Sequence, residues 1–167
     1  MDSIAKAWSQ RLARRWLLLL AIAIGGSAIY GASLASAIPY LASAGAAAWL
    51  TLGAAAGWML LIPALWVLLR LPLLAVVDAC LISMAYGEAV LLVGAVMNFT
   101  GVWPAQPVAA NAVVVLLSNI LMAAVLTKSL HSLNVQPKTS IAVWMFFLNG
   151  GGGLAFWLLA GPLLGGR

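Results

Sequence analysis

An all-α, polytopic bundle of about five membrane-spanning helices is the fold this sequence predicts, and three observations predict it. Hydrophobic residues make up 65% of the chain and charged residues 7%. A soluble domain draws roughly a quarter of its residues from the charged types, so no soluble surface can be built here and lipid must act as solvent. Five apolar stretches also reach the roughly 20 residues that a helix needs to cross a bilayer. Finally, the basic residues fall on one side of those five stretches, as the positive-inside rule requires. A β-barrel is excluded by pattern. Barrel strands alternate apolar with polar residues, whereas the run Trp16-Leu-Leu-Leu-Leu-Ala-Ile-Ala-Ile24 does not.

Residues 1–15 read as a cytoplasmic amphipathic helix lying in the headgroup plane. Ile4, Trp8 and Leu12 recur at four-residue spacing and share a face, while Lys6, Arg11, Arg14 and Arg15 supply the polar side. Such a helix binds lipid through its apolar face and anionic headgroups through its charges. The alternative is that the same residues, Lys6, Trp8, Arg11, Arg14 and Arg15, dock onto a partner's cytoplasmic face. From residue 16 onward the chain reads as a single transmembrane domain.

The first span covers 16–36. It follows a basic start and precedes Ala35-Ser-Ala37, a pattern shared with secretory signals; it reads as a retained signal anchor. The second span covers 46–69, and the third covers 73–96 despite Asp78 and Glu88 within it. The fourth covers 108–127 and the fifth 141–164. Lys6 to Arg15, Arg70, Lys128 and Lys138 then share one side, and Arg167 alone falls on the other. The expected topology is N-terminus in the cytoplasm and C-terminus outside, in a bacterial inner (cytoplasmic or intracytoplasmic) membrane. The net charge of +5 needs no nucleic acid, because juxtamembrane basic residues attract anionic lipid. The single Cys80 cannot form an internal disulfide.

Small residues recur at helical spacing. Ser27, Gly31 and Ala35 lie four apart in the first span, Gly53 and Gly57 in the second, and Ser83 and Gly87 in the third. Small side chains let helix backbones approach closely, which is how membrane helices associate. These faces, with Gly150, Gly151, Gly152 and Gly153 in the fifth span, are the expected packing or partner interfaces. Asn149 and the four glycines also allow a sharper reading, a broken helix whose free carbonyls bind an ion, with Gly25-Gly26 as the matching break. Trp8, Trp16, Trp66, Trp103 and Trp144 fall near span ends, where an indole's apolar ring and polar N–H both find a place.

Three intramembrane polar residues carry the remaining chemistry: Asp78, Glu88 and Asn149. Asp78 and Glu88 are ten residues apart, about 15 Å along a helix, so they form no carboxylate dyad. Acids inside a membrane are costly and need partners. Arg70 and Lys128 lie on the side of Asp78. Glu88 has no basic residue at its depth, which leaves Asn98, Asn111, Tyr30 or another subunit as its partner. His131, the sole histidine, falls in the cytoplasmic loop; it could ligate a pigment or haem from one side only, and a solvated loop residue is the simpler reading. No spacing of Cys, His or acids suits a metal, and no nucleophile elbow, phosphate loop or dinucleotide fingerprint occurs.

The segment Gly25-Gly-Ser-Ala-Ile-Tyr-Gly31, the segment Arg70-Leu-Pro-Leu-Leu74 and the basic loop from Lys128 to Lys138 together resemble the Yip-type five-helix membrane proteins. The resemblance implies a cytoplasmic N-terminus and a scaffold or partner-binding role, with no catalytic residues to carry over. The expected function is therefore a non-catalytic membrane subunit. It would pack against larger integral membrane partners, as small helical subunits do in respiratory or photosynthetic complexes. Lipid would be bound, an interface could hold pigment or quinone, and no cofactor would be intrinsic. The alternative is a small ion or proton transporter built on Glu88 and the Asn149–Gly153 segment.

Overall fold

The computed structural model describes residues 2–38, 62–67, 70–102 and 107–133, with side chains from Arg11 onward in the first of these. All regular structure among the described residues is helical. Three long helices account for nearly all of it: α1 (Asp2–Ala37), α2 (Leu73–Thr100) and α3 (Pro107–Ser132). Each contains a stretch long and apolar enough to cross a membrane, Arg11–Ala37, Leu73–Thr100 and Pro107–Ser132. At 1.5 Å per residue these span about 40 Å, more than the roughly 30 Å of a bilayer's hydrocarbon core. They correspond to the first, third and fourth spans expected from the sequence. The fifth span, and the second apart from a helical stretch at 62–67, lie outside the described residues.

Two boundaries differ from the sequence reading. The in-plane helix expected at 1–15 is not a separate element, because α1 is unbroken over 36 residues. Ala13 to Leu20 are good helix formers with no Gly or Pro among them, so nothing interrupts the hydrogen-bond ladder where the polar face ends. Nor is there a break at Gly25-Gly26, since α1 runs through both. α3 extends beyond residue 127 to Ser132, which puts His131 in its exposed last turn rather than in a loop.

The ends of α2 follow from local sequence. Pro72 cannot continue a helix backwards; its carbonyl accepts from the amides of Ala75 and Val76 at 3.0 and 3.2 Å. Just upstream, Arg70 holds a left-handed φ of 51°, uncommon for a residue with a side chain. At the far end Gly101 takes φ 67°, its amide donates to Asn98 O at 3.4 Å, and the Val102 amide donates to Met97 O at 3.3 Å. That pair of bonds is a Schellman cap, and the left-handed residue in it suits glycine.

Partners along the helices fix their directions. On α1 and α2, Trp16 meets Asp78, Ser27 meets Glu88, and Ser33 meets Asn98. The numbers rise together, so α1 and α2 run parallel. On α2 and α3, Ser83 meets Met122, Gly87 meets Ser118, and Asn98 meets Asn111. These run in opposite senses, so α3 is antiparallel to both. α2 is the central element and packs along each of the others.

Two apolar clusters fill the bundle. One gathers Ala23, Val76, Cys80, Met84, Met122 and Leu126 with Leu65 of the 62–67 stretch. The other gathers Tyr30, Leu34, Ile38, Ala95 and Val114. Between them, half way along α2, lies a polar layer that includes Glu88.

Candidate functional site

The polar side chains inside the bundle form three layers, each bridging helices. At the end where α2 begins, Asp78 is part-buried. Trp16 Nε1 donates to its Oδ1 at 3.2 Å, and Arg15 Nη2 stands 3.5 Å from its Oδ2. The sequence set Arg70 and Lys128 beside Asp78, and the structure replaces them with Arg15. The parallel course of α1 brings its residue 15 to the start of α2, whereas Arg70 and Lys128 are solvent-facing. Trp16 is thus a hydrogen-bond donor within the bundle as well as an end-of-span aromatic.

The middle layer belongs to Glu88, which is 4% exposed. Ser27 Oγ donates to its Oε1 at 2.7 Å. The partner is neither Asn98, Asn111 nor Tyr30. Asn98 and Asn111 lie about 15 Å further along the axis, ten residues of α2 away, and the Tyr30 hydroxyl is engaged with Asn111. Glycine makes the approach possible: a Cβ on Gly26 would collide with Glu88 Oε2 and reach its Cβ at 3.0 Å. On the other side of α2, a Cβ on Gly87 would strike the Met122 side chain and come within 3.0 Å of Ser118 Oγ. Ser118 Oγ donates to Gly87 O at 3.0 Å, and Ser83 Oγ donates to Met122 O.

The third layer is the densest. Asn98 and Asn111 exchange side-chain hydrogen bonds, with Asn98 Nδ2 at 3.0 Å from Asn111 Oδ1 and Asn111 Nδ2 at 2.9 Å from Asn98 Oδ1. Tyr30 Oη donates to Asn111 Oδ1 at 2.9 Å, and Asn98 Nδ2 donates to Ser33 Oγ at 2.9 Å. Asn111 Nδ2 also bonds Pro107 O at 2.9 Å. All three helices meet here. Tyr30 reaches across because Gly94 leaves room: a Cβ there would stand 2.7 Å from Val114 Cγ1 and 3.1 Å from Tyr30 Cε2.

Of the small residues singled out in the sequence, Ser27, Gly31, Ser83 and Gly87 are buried and Ala35 is half-buried. Gly53, Gly57, Asn149 and Gly150 to Gly153 lie outside the described residues. Arg11, Arg14 and Arg15 are exposed along α1, and the side chains of Lys6 and Trp8 fall outside those described. The close approaches at Gly26 and Gly94 went unremarked in the sequence. Gly94 carried a usable signal, since it sits seven residues after Gly87 and therefore on the same face. No group of His, Cys, Asp and Glu suited to a metal occurs among the described residues.

Comparison with protein families, with curated proteins and with solved structures returns no match.

Proposed function

We propose that the protein is a non-catalytic integral membrane subunit that packs against larger membrane partners. One observation carries this reading. Every buried polar residue among those described, except Asn119, bonds to another helix. Asn119 instead donates to its own helix, at Val115 O. Polar chemistry among the described residues is thus spent on holding helices together. The outward faces carry the opposite character. Leu17, Leu18, Ile29, Val96, Phe99 and Val113 are all about half exposed or more. Such a surface suits lipid and the apolar flank of a neighbouring subunit.

The parallel course of α1 and α2 supports the five-span topology. The end of α1 at Ala37 and the start of α2 at Leu73 stand at opposite ends of the bundle, as that topology requires. With α3 returning, the basic residues before the first span, Arg70 and Lys128 then share a side, and the positive-inside rule makes that side cytoplasmic. A respiratory or photosynthetic assembly in a bacterial inner membrane is the host class we propose, by analogy with other small helical subunits. Purification in mild detergent, native mass spectrometry and an absorption spectrum test the reading. Co-purifying membrane subunits are the expected result, and pigment bands would identify the host class. A colourless monomer with no partners in native membranes, or ion flux through the pure protein in liposomes, would overturn it.

A further inference from the structure

Glu88 is bonded through one carboxyl oxygen only. Oε1 takes the Ser27 hydroxyl at 2.7 Å, while Oε2 is buried without a hydrogen-bond partner. A second acceptor is left in the same condition. Asn119 is 6% exposed and its Oδ1 has no partner. The register of α3 on α2, set by Gly87 against Ser118 and Gly94 against Val114, places Asn119 at the level of Glu88. Among the described residues, no hydrogen bond reaches either of these two acceptor oxygens. Leaving such groups unmet in a low-dielectric interior is expensive, and a full carboxylate charge more so.

Among the described residues no cation reaches that level. Arg15 is engaged with Asp78 and lies twelve residues from Ser27, about 18 Å along α1. Lys128 lies nine residues from Asn119 on α3, about 14 Å. The remaining basic residues lie outside the expected spans. Among the described residues, the groups that face Glu88 are Gly26 and Ser27 from α1, with Asn119 level with it on α3, and none is charged. A bare metal ion would need several oxygens around it and the volume to sit among them. Gly26 removes that volume, because its backbone is pressed against Oε2 so closely that a methyl group would collide. A proton needs no volume and converts one acceptor into a donor.

We propose that Glu88 binds one proton within the membrane and holds it as a neutral carboxylic acid, and that this proton lets α1 close on α2 at Gly26. The step is a simple protonation: as the bundle closes, the carboxylate takes a proton from hydronium, one hydronium O–H bond breaks as the carboxyl O–H bond forms, and water is left; the reverse occurs when the helices part. The inference stands apart from the subunit reading, since a bundle within an assembly and one working alone would hold the same acid.

The test uses a property of the sequence. Glu88 is the sole glutamate of the chain, so 13C-carboxyl glutamate labels one site without any mutation. The full chain, labelled by cell-free synthesis and placed in lipid vesicles, is measured by infrared spectroscopy at neutral pH. The expected result is a protonated-carboxyl C=O band that shifts with the label, and that moves to higher frequency in Ser27→Ala as one hydrogen bond is lost. A carboxylate band shifting with the label instead would overturn the proposal. So would an acid band that Ser27→Ala leaves in place, because the acid would then not face α1.

Discussion

Removing the Asn111 carboxamide should weaken the bundle by an amount that can be counted from its contacts. Asn111→Ala eliminates three bonds between helices: from Tyr30 Oη, from Asn98 Nδ2, and to Asn98 Oδ1. Side-chain hydrogen bonds between membrane helices average about 0.6 kcal/mol each. Their loss therefore costs about 2 kcal/mol, roughly a 30-fold rise in the unfolding constant. Tyr30 is not orphaned, because its hydroxyl also lies 3.3 Å from the main-chain carbonyl of residue 111, so no further desolvation penalty is expected from it. Reversible unfolding in mixed micelles, followed by tryptophan fluorescence, measures the difference. Thr127→Ala is the control, since Thr127 bonds only Ala123 O within its own helix. Tyr30→Phe combined with Asn111→Ala in a double-mutant cycle isolates one bond, with an expected coupling of about 0.6 kcal/mol. If Asn111→Ala matches the control to within about 0.5 kcal/mol, the layer is not a tie between helices and the reasoning fails.

The adjacent glycines of α1 should respond oppositely to one methyl group. Gly25→Ala meets nothing within 4 Å and should be neutral or slightly favourable, because alanine is the better helix former. Gly26→Ala collides with Glu88 and should cost about 1–3 kcal/mol as an overpacked site; equal effects in the same unfolding assay would contradict the close approach of α1 and α2. The direction of α3 predicts the outcome of thiol labelling. Val102→Cys and Leu133→Cys should react with an impermeant reagent from opposite sides of the membrane, while native Cys80, fully buried, stays silent. Labelling of both from one side would refute the crossing.

Depth along each helix was readable from the sequence, and rotation about it was not. The apolar runs located α2, α3 and the C-terminal end of α1 to within a few residues, and the position of Glu88 on α2 put it beyond any basic residue. The identity of its partner was misread because lipid-facing and core-facing residues are alike apolar. In water a hydrophobic stripe shows which face turns inward. In a bilayer that contrast is lost, and small and polar residues must reveal the face instead. Ser83 and Gly87 did so for the face toward α3. Tyr30, Asn98 and Asn111 were visible as polar residues in spans. That they pair with one another follows only from the parallel course of α1, and so does the meeting of Arg15 with Asp78. The amphipathic start of the chain reads as a helix of its own over 1–15, whereas α1 runs through residue 15 unbroken, since a change of polarity alone breaks no backbone hydrogen bond.

The parallel pairing of α1 with α2 also sets an order of events at the ribosome. The ties between them join residues 62, 61 and 65 apart in the chain. At about 5–20 residues per second, synthesis of that interval takes about 3–13 s. Throughout it α1 stands in the membrane without its partner, with the hydroxyls of Ser27 and Tyr30 still lacking their interhelical acceptors. Nascent α1 is thus the stage at which the insertion machinery, or a neighbouring protein, has the longest opportunity to hold this chain. Mutations that weaken later contacts would lengthen that exposure and lower the yield of inserted protein before they altered the finished bundle.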